Sequence, residues 1–173
     1  MVGLTGASGT RLGVRLLELL RPTPVETHVV MCSCARRGIP QDTGRSAEEV
    51  LTLADRSYGE WNQAARISSG SFLTLGMVVA PCSRRSLASI ALGYANTLIH
   101  RAADVTMKEG RPLVLLVHGP ALAGTDARHV ARLETVPGVR VQTADHAADD
   151  AEIDAEIARA LEGFRLPSVP VRG

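Results

Sequence analysis

Two turns concentrate the anion-binding chemistry of this 173-residue chain. Thr5-Gly6-Ala7-Ser8-Gly9 follows a short apolar run and precedes a helical pattern. Small residues there let the backbone approach a ligand, while Ser8 and the N–H groups of the next helix can hold a phosphate. The spacing is not G-x-G-x-x-G, so the dinucleotide fingerprint is absent. Ala80-Pro81-Cys82-Ser83-Arg84-Arg85-Ser86 repeats the arrangement after a later strand. Its two hydroxyls and two guanidiniums suit a phosphate or carboxylate, or else Ser83 only caps the helix and both arginines are solvated. Two such turns together favour a mononucleotide. A third stretch, Ile67-Ser68-Ser69-Gly70-Ser71-Phe72, reads as a plain connection or as a catalytic loop. Cys32-Ser33-Cys34 has too short a spacing for a zinc pair, and no second Cys or His pair follows it. The histidines (His28, His100, His118, His129, His146) also lack ligand spacing, so no metal site is expected. His118 ends the most strand-like run and therefore lies near any site at the strand ends.

The elements that must position these residues alternate between strand and helix, which predicts a parallel sheet covered on both faces. Strands are expected at Val2–Thr5, Glu26–Cys32, Gly76–Ala80 (cut by Pro81), Pro112–Val117 and Val139–Thr143. Helices are expected at Thr10–Leu20, at Ser46–Ala54 with a capping box from Ser46 to Glu49, and at Asp126–Glu134 and Ala151–Phe164. Ser83–Ala95 and Thr97–Lys108 form one long helix or two consecutive ones. The reading is one α/β domain over residues 1–164, a Rossmann-like (flavodoxin-like) doubly wound parallel sheet of five or six strands. Residues 165–173 form a loose C-terminal tail. Ligands of such a sheet collect at the strand C-termini near a switch point.

Composition excludes several classes. A formal charge of +1 gives no footprint for nucleic acid. No apolar run reaches the roughly 18 residues of a membrane span, and the first residues do not read as a signal peptide. Three cysteines are too few and odd in number for a disulfide framework, which fits a reducing cytoplasm. Lys108 is the single lysine among 19 basic residues.

From Val2 to about Leu116, TGASG…GVRLLELL and ISSGSFLTLGMVVAPCSRRSLASIALGYANTLIHRAADVTMKEGRPLVLL resemble the flavin prenyltransferase family. That family lies within the wider group of homo-oligomeric flavin-containing cysteine decarboxylases. The resemblance implies a flavoprotein that binds FMN and assembles as trimers, commonly into dodecamers. It places Gly6, Ala7 and Ser8 on the first FMN loop, and Ser83, Arg84, Arg85 and Ser86 on the second. Cys32 and Ser33 fall on a further FMN segment, where C-S-C-A replaces the family's S-K-A-A. Asp42 takes the place of a glutamate, and Lys108 matches a family lysine.

Departures from the pattern shape the expected reaction. The family's R-E after the strand Pro112–Val117 is here His118-Gly119, and its P-x-F-Y-x-x-P element is missing. In that place stands VRVQTADHAADDAE, where Asp145, Asp149 and Asp150 surround His146 and like charges oppose a prenyl phosphate. The resemblance then favours the peptidyl-cysteine decarboxylase branch, as in the linaridin (cypemycin-type) enzymes. Such an enzyme would be a cytoplasmic oxidoreductase and lyase of peptide natural product biosynthesis. It would oxidatively decarboxylate the C-terminal Cys of a precursor peptide to an enethiol for aminovinyl-cysteine formation. In that reading His118 is the base, and Ser68 or Ser69 binds the thiolate or carboxylate. The alternatives are a flavin prenyltransferase that makes prenylated FMN from reduced FMN and dimethylallyl phosphate, and a non-catalytic FMN-binding regulatory subunit.

Overall fold

The computed structural model describes residues 1–6, 8–119, 122–144 and 149–166. Ala7, the 145–148 part of the acidic segment (with Asp145 and His146) and most of the expected tail lie outside the described residues. The chain runs β1 (Val2–Leu4), α1 (Thr10–Leu20), β2 (His28–Met31), α2 (Ser33–Thr43), α3 (Ala47–Leu51) and β3 (Arg56–Gly59). It continues through a 3-10 turn (Arg66–Ser68) to β4 (Met77–Cys82), α4 (Arg84–Ala91) and α5 (Leu98–Lys108). The last elements are β5 (Leu113–His118), α6 (Thr125–Glu134), β6 (Val139–Ala144) and α7 (Asp150–Leu161).

All six strands pair in parallel in the order β3-β2-β1-β4-β5-β6. Without the edge strand β3, the order is the flavodoxin-like one; with it, the order is that of a Rossmann sheet. Both faces are covered over β1, β2, β4 and β5, which are near-continuous apolar runs. Within β5, Val114 and Leu116 face the layer of α1, α2, α3 and α7, whereas Leu113, Leu115 and Val117 face α4, α5 and α6. This period of two divides the core into two slabs.

The two helices expected from Ser83 to Lys108 are separate, and α3 is shorter than the predicted span, although its Ser46–Glu49 capping box is present. Two elements depart from the sequence reading. α2 buries only Ala35, Gly38 and Ile39 and contains Pro40, so its apolar stripe is too thin to read. β3 is a mostly exposed edge strand held only by β2. Pro81 does not cut β4. The strand passes through it to Cys82, and the register against β5 shifts between Val79 and Cys82. A central strand tolerates a residue without an N–H only at such an irregularity.

Gly13 lies where α1 crosses the sheet, and a methyl there would run into the Ala80 carbonyl oxygen and come within 2.9 Å of Leu4 Cγ. Helix propensity alone favours Gly13→Ala by about 1 kcal/mol. Overpacking against a rigid backbone oxygen costs about 1–3 kcal/mol and more where nothing can give. The steric term wins: Gly13→Ala is expected to lower the unfolding free energy by at least about 1 kcal/mol in urea titration.

Candidate cofactor site at the sheet switch point

β1 pairs with β2 on one side and β4 on the other, so the chain diverges at the C-terminal ends of these strands. Thr5, 3% exposed, bridges the two loops that leave them. Its N–H and its hydroxyl both donate to the Pro81 carbonyl (3.0 and 3.1 Å), and the hydroxyl accepts from Ser83 N–H at 2.8 Å. That bond places Ser83 as N-cap of α4, where its Oγ accepts from Ser86 N–H. Nearby, Cys32 caps α2 with its sulfur and Thr97 caps α5 with its hydroxyl. Three helix N-termini thus border one cavity of about 350 Å³, within the usual range for small-molecule sites.

Gly6, Cys32, Ser33, Ser83, Arg85 and Ser86, which the resemblance assigns to the cofactor, line it. Sequence reasoning missed the rest of the wall: Glu60, Trp61, Asn96, Thr97 and His100. Glu60 accepts from Ser33 N–H, and its carbonyl accepts from Leu98 N–H at 2.7 Å, which ties the end of β3 to the start of α5. His100 bridges Asn96 Oδ1 (2.7 Å) and Ser86 Oγ (3.1 Å). Burial, and then the Arg85 charge, hold it below the ordinary histidine range. The Thr97 cap was the one sequence signal for this wall.

Two of the assigned cofactor residues fall elsewhere. Arg84 turns outward to Asp126 of α6 at 2.6 Å and does not line the cavity. Ser8 lines a second cavity of about 180 Å³ with Gly9, Asp42 and His118, across the β1–α1 loop from the first. There the His118 ring packs against Gly9, where a Cβ would lie 2.5 Å from its Cγ. Thr10 N–H and hydroxyl both donate to Asp42 at 2.8 Å, so a carboxylate of the chain itself occupies the α1 N-terminus. The acidic segment is structural where it is described: Asp149 caps α7 and Asp150 pairs with Arg11.

The expected catalytic trio does not assemble. His118 points with Leu116 into the α1/α7 slab, while Ile67, beside Ser68 and Ser69, belongs to the other slab. Ser69 bonds Ser71, and the Ser68 carbonyl accepts from Arg101. Lys108 is exposed and pairs with Asp104 at 2.8 Å at the far end of α5 from the cavity. Among the described residues, no three His, Cys, Asp or Glu side chains group as metal ligands, and no helix is long and apolar enough to cross a membrane.

The family model described as Flavoprotein matches residues 1–156. A probable UbiX-like flavin prenyltransferase of Streptomyces sp. (strain D7) is 43% identical over 99% of this chain and 89% of its own length. The dodecameric FMN-dependent UbiX-like decarboxylase of Escherichia coli O157:H7 is 42% identical with a TM-score of 0.86, covering 99% of this chain and 96% of that one. AnUbiX (PadA1), in complex with FMN and dimethylallyl pyrophosphate, is 36% identical with a TM-score of 0.88, covering 95% and 90%. These similarities overturn the expectation of peptidyl-cysteine decarboxylation. The cypemycin decarboxylase CypD is 20% identical with a TM-score of 0.66, covering 94% and 93%, which carries the fold alone.

The cysteines report on the cavity. Cys34 is exposed on its rim, Cys32 is half-buried with its thiol pushed up by burial, and Cys82 is fully buried and pushed up to about 12. Alkylation of the native protein at neutral pH, followed by peptide mass mapping, is expected to modify Cys34 first and leave Cys82 intact. Bound FMN should slow the reaction at Cys34.

Proposed function

We propose that this chain, which belongs to the flavoprotein family, binds FMN in the switch-point cavity and acts as a flavin prenyltransferase. In this role it joins reduced FMN to a dimethylallyl group donated by dimethylallyl phosphate. The observation that carries the reading is that Gly6, Cys32, Ser33, Ser83, Arg85 and Ser86, distant in sequence, line one cavity. The full-length likeness to a probable UbiX-like flavin prenyltransferase supports the choice of reaction.

The residues fit the cofactor. The hydroxyls of Ser83 and Ser86, the Arg85 guanidinium and the positive end of α4 suit a phosphate. Gly6 leaves the loop free of a side chain, and Ile99 and Trp61 offer apolar surface to a ring. When bound, reduced FMN would supply the nucleophilic ring position for the dimethylallyl group, whose phosphate would be the leaving group.

The chain's own contribution is to hold and orient. Thr5 fixes the spacing of the two loops, and the α4 N-terminus retains the anionic end of the flavin. Glu60, the carboxylate in the wall, is placed to accept the released proton. His118 and Gly119 stand where the resemblance places an arginine and a glutamate. Arg85 is therefore the cation that this cavity itself provides. We assign a homo-oligomer as the working state, because Trp61 (70%), Leu92 (60%) and Tyr94 (63%) are large apolar side chains left exposed in one copy. The dodecameric relative supports this.

Anaerobic incubation with reduced FMN and dimethylallyl phosphate, followed by mass analysis of the released flavin, is expected to yield a product heavier by one dimethylallyl unit. Recovery of unmodified FMN alone from fully loaded protein overturns the reading.

A further inference from the structure

We propose that His100 is a positioning residue that sets whether the Ser83–Ser86 hydroxyl pair offers donors or acceptors to the flavin phosphate. The inference rests on the reading of the switch-point cavity as the FMN site. His100 is 7% exposed and sits in the first turn of α5, behind the hydroxyls that line the cavity. Its Nδ1 is 2.7 Å from Asn96 Oδ1, an atom that can only accept. Nδ1 therefore carries the proton, and in the neutral ring Nε2 is an acceptor.

The rest of the chain of hydrogen bonds follows from that tautomer. The Ser86 hydroxyl donates to His100 Nε2 at 3.1 Å, and the Ser83 hydroxyl donates to Ser86 Oγ at 3.1 Å. Both hydroxyl protons are then committed to the wall, and the cavity meets oxygen lone pairs. A phosphate dianion needs the reverse. With His100 protonated, Nε2–H donates to Ser86 Oγ, and the hydroxyl protons are released to point at the ligand. The ring's charge adds to the attraction.

The charged groups that face His100 are Arg85 from α4, which opposes its protonation, and Glu60 beyond β3, which favours it. The thiols of Cys32 and Cys34 line the same cavity. Burial and Arg85 keep the free imidazole neutral, below the ordinary histidine range. A bound phosphate dianion offsets the Arg85 charge and attracts the protonated ring, which raises the bound-state value above the free one. Binding therefore takes up a proton. Affinity is fully present below the free-state value and is lost as pH rises through the bound-state value, by at most about tenfold per pH unit.

The test is FMN affinity, read by flavin fluorescence across about pH 6–8, for wild type, His100→Gln and Asn96→Asp. Riboflavin, which has no phosphate, is the control. The FMN phosphate has its own second ionisation near pH ~6, common to all variants, so differences between proteins carry the result. Wild-type affinity is expected to fall about tenfold more than that of His100→Gln over this range. Asn96→Asp, which gives Nδ1–H a carboxylate partner, should shift the wild-type profile to higher pH, a movement that a merely structural histidine would not produce. Riboflavin binding should stay flat. Coincident FMN profiles for wild type and His100→Gln overturn the inference and leave the cavity reading intact. Absence of FMN binding at every pH overturns both.

Discussion

Thr5 joins two loops at the point where the regular β1–β4 pairing ends. β4 ends by passing through Pro81, which has no N–H, and its register against β5 shifts there. The Pro81 carbonyl, which accepts from both the N–H and the hydroxyl of Thr5, and the Ser83 N–H lie at this strand end. Thr5 satisfies both from the neighbouring strand, accepting from one and donating to the other. Leaving such a buried pair unpaired costs about 1–3 kcal/mol per group. The consequence is geometric as much as energetic. Ser83 is fixed as the α4 cap, Ser86 follows one turn on, and His100 of α5 finds Ser86 within reach.

The same arrangement explains which parts of the site could be read in the sequence. A hydroxyl before an apolar helix is a local signal, so Ser83 and Ser86 are visible as strings, as is the glycine-bearing turn after β1. Glu60 and Trp61 follow β3, a strand with little apolar content that exists because it pairs with β2. Their placement beside α5 depends on the bond from Leu98 N–H to the Glu60 carbonyl, a contact between residues far apart in the chain. His100 was dismissed for want of ligand spacing, yet its partners come from α4 and from the turn before α5. The strands β1, β2, β4 and β5 were legible because burial on both faces makes them near-continuous apolar runs, whereas the half-buried edge strand β6 shows Val139 and Val141 in alternation with polar residues. α2 was not, because its exposed face outweighs the three residues it buries.

Side-chain parity accounts for the failed catalytic grouping. His118 and the Ser68-Ser69 segment both belong near the sheet, but strand alternation sends His118 into the slab of α1 and α7. The segment that holds Ser68 packs through Ile67 into the other slab. Two residues on opposite faces of a sheet cannot share a reacting atom unless they meet beyond its edge.

Internal neutralisation narrows the anion-binding capacity further. Of the groups that could attract a phosphate, the α1 N-terminus is taken by Asp42 and Arg84 by Asp126. What remains at the switch point is Arg85, two hydroxyls and the positive end of α4, in a cavity that Glu60 also lines. The strand order alone would place a ligand there in any protein of this fold, which is why a shared fold does not identify a reaction. The discrimination lies in the wall. In the proposed chain of hydrogen bonds, a buried imidazole takes the Ser86 proton and Ser86 in turn takes that of Ser83, which makes the cavity's preference for anions adjustable, where a fixed cation in that position would make it permanent.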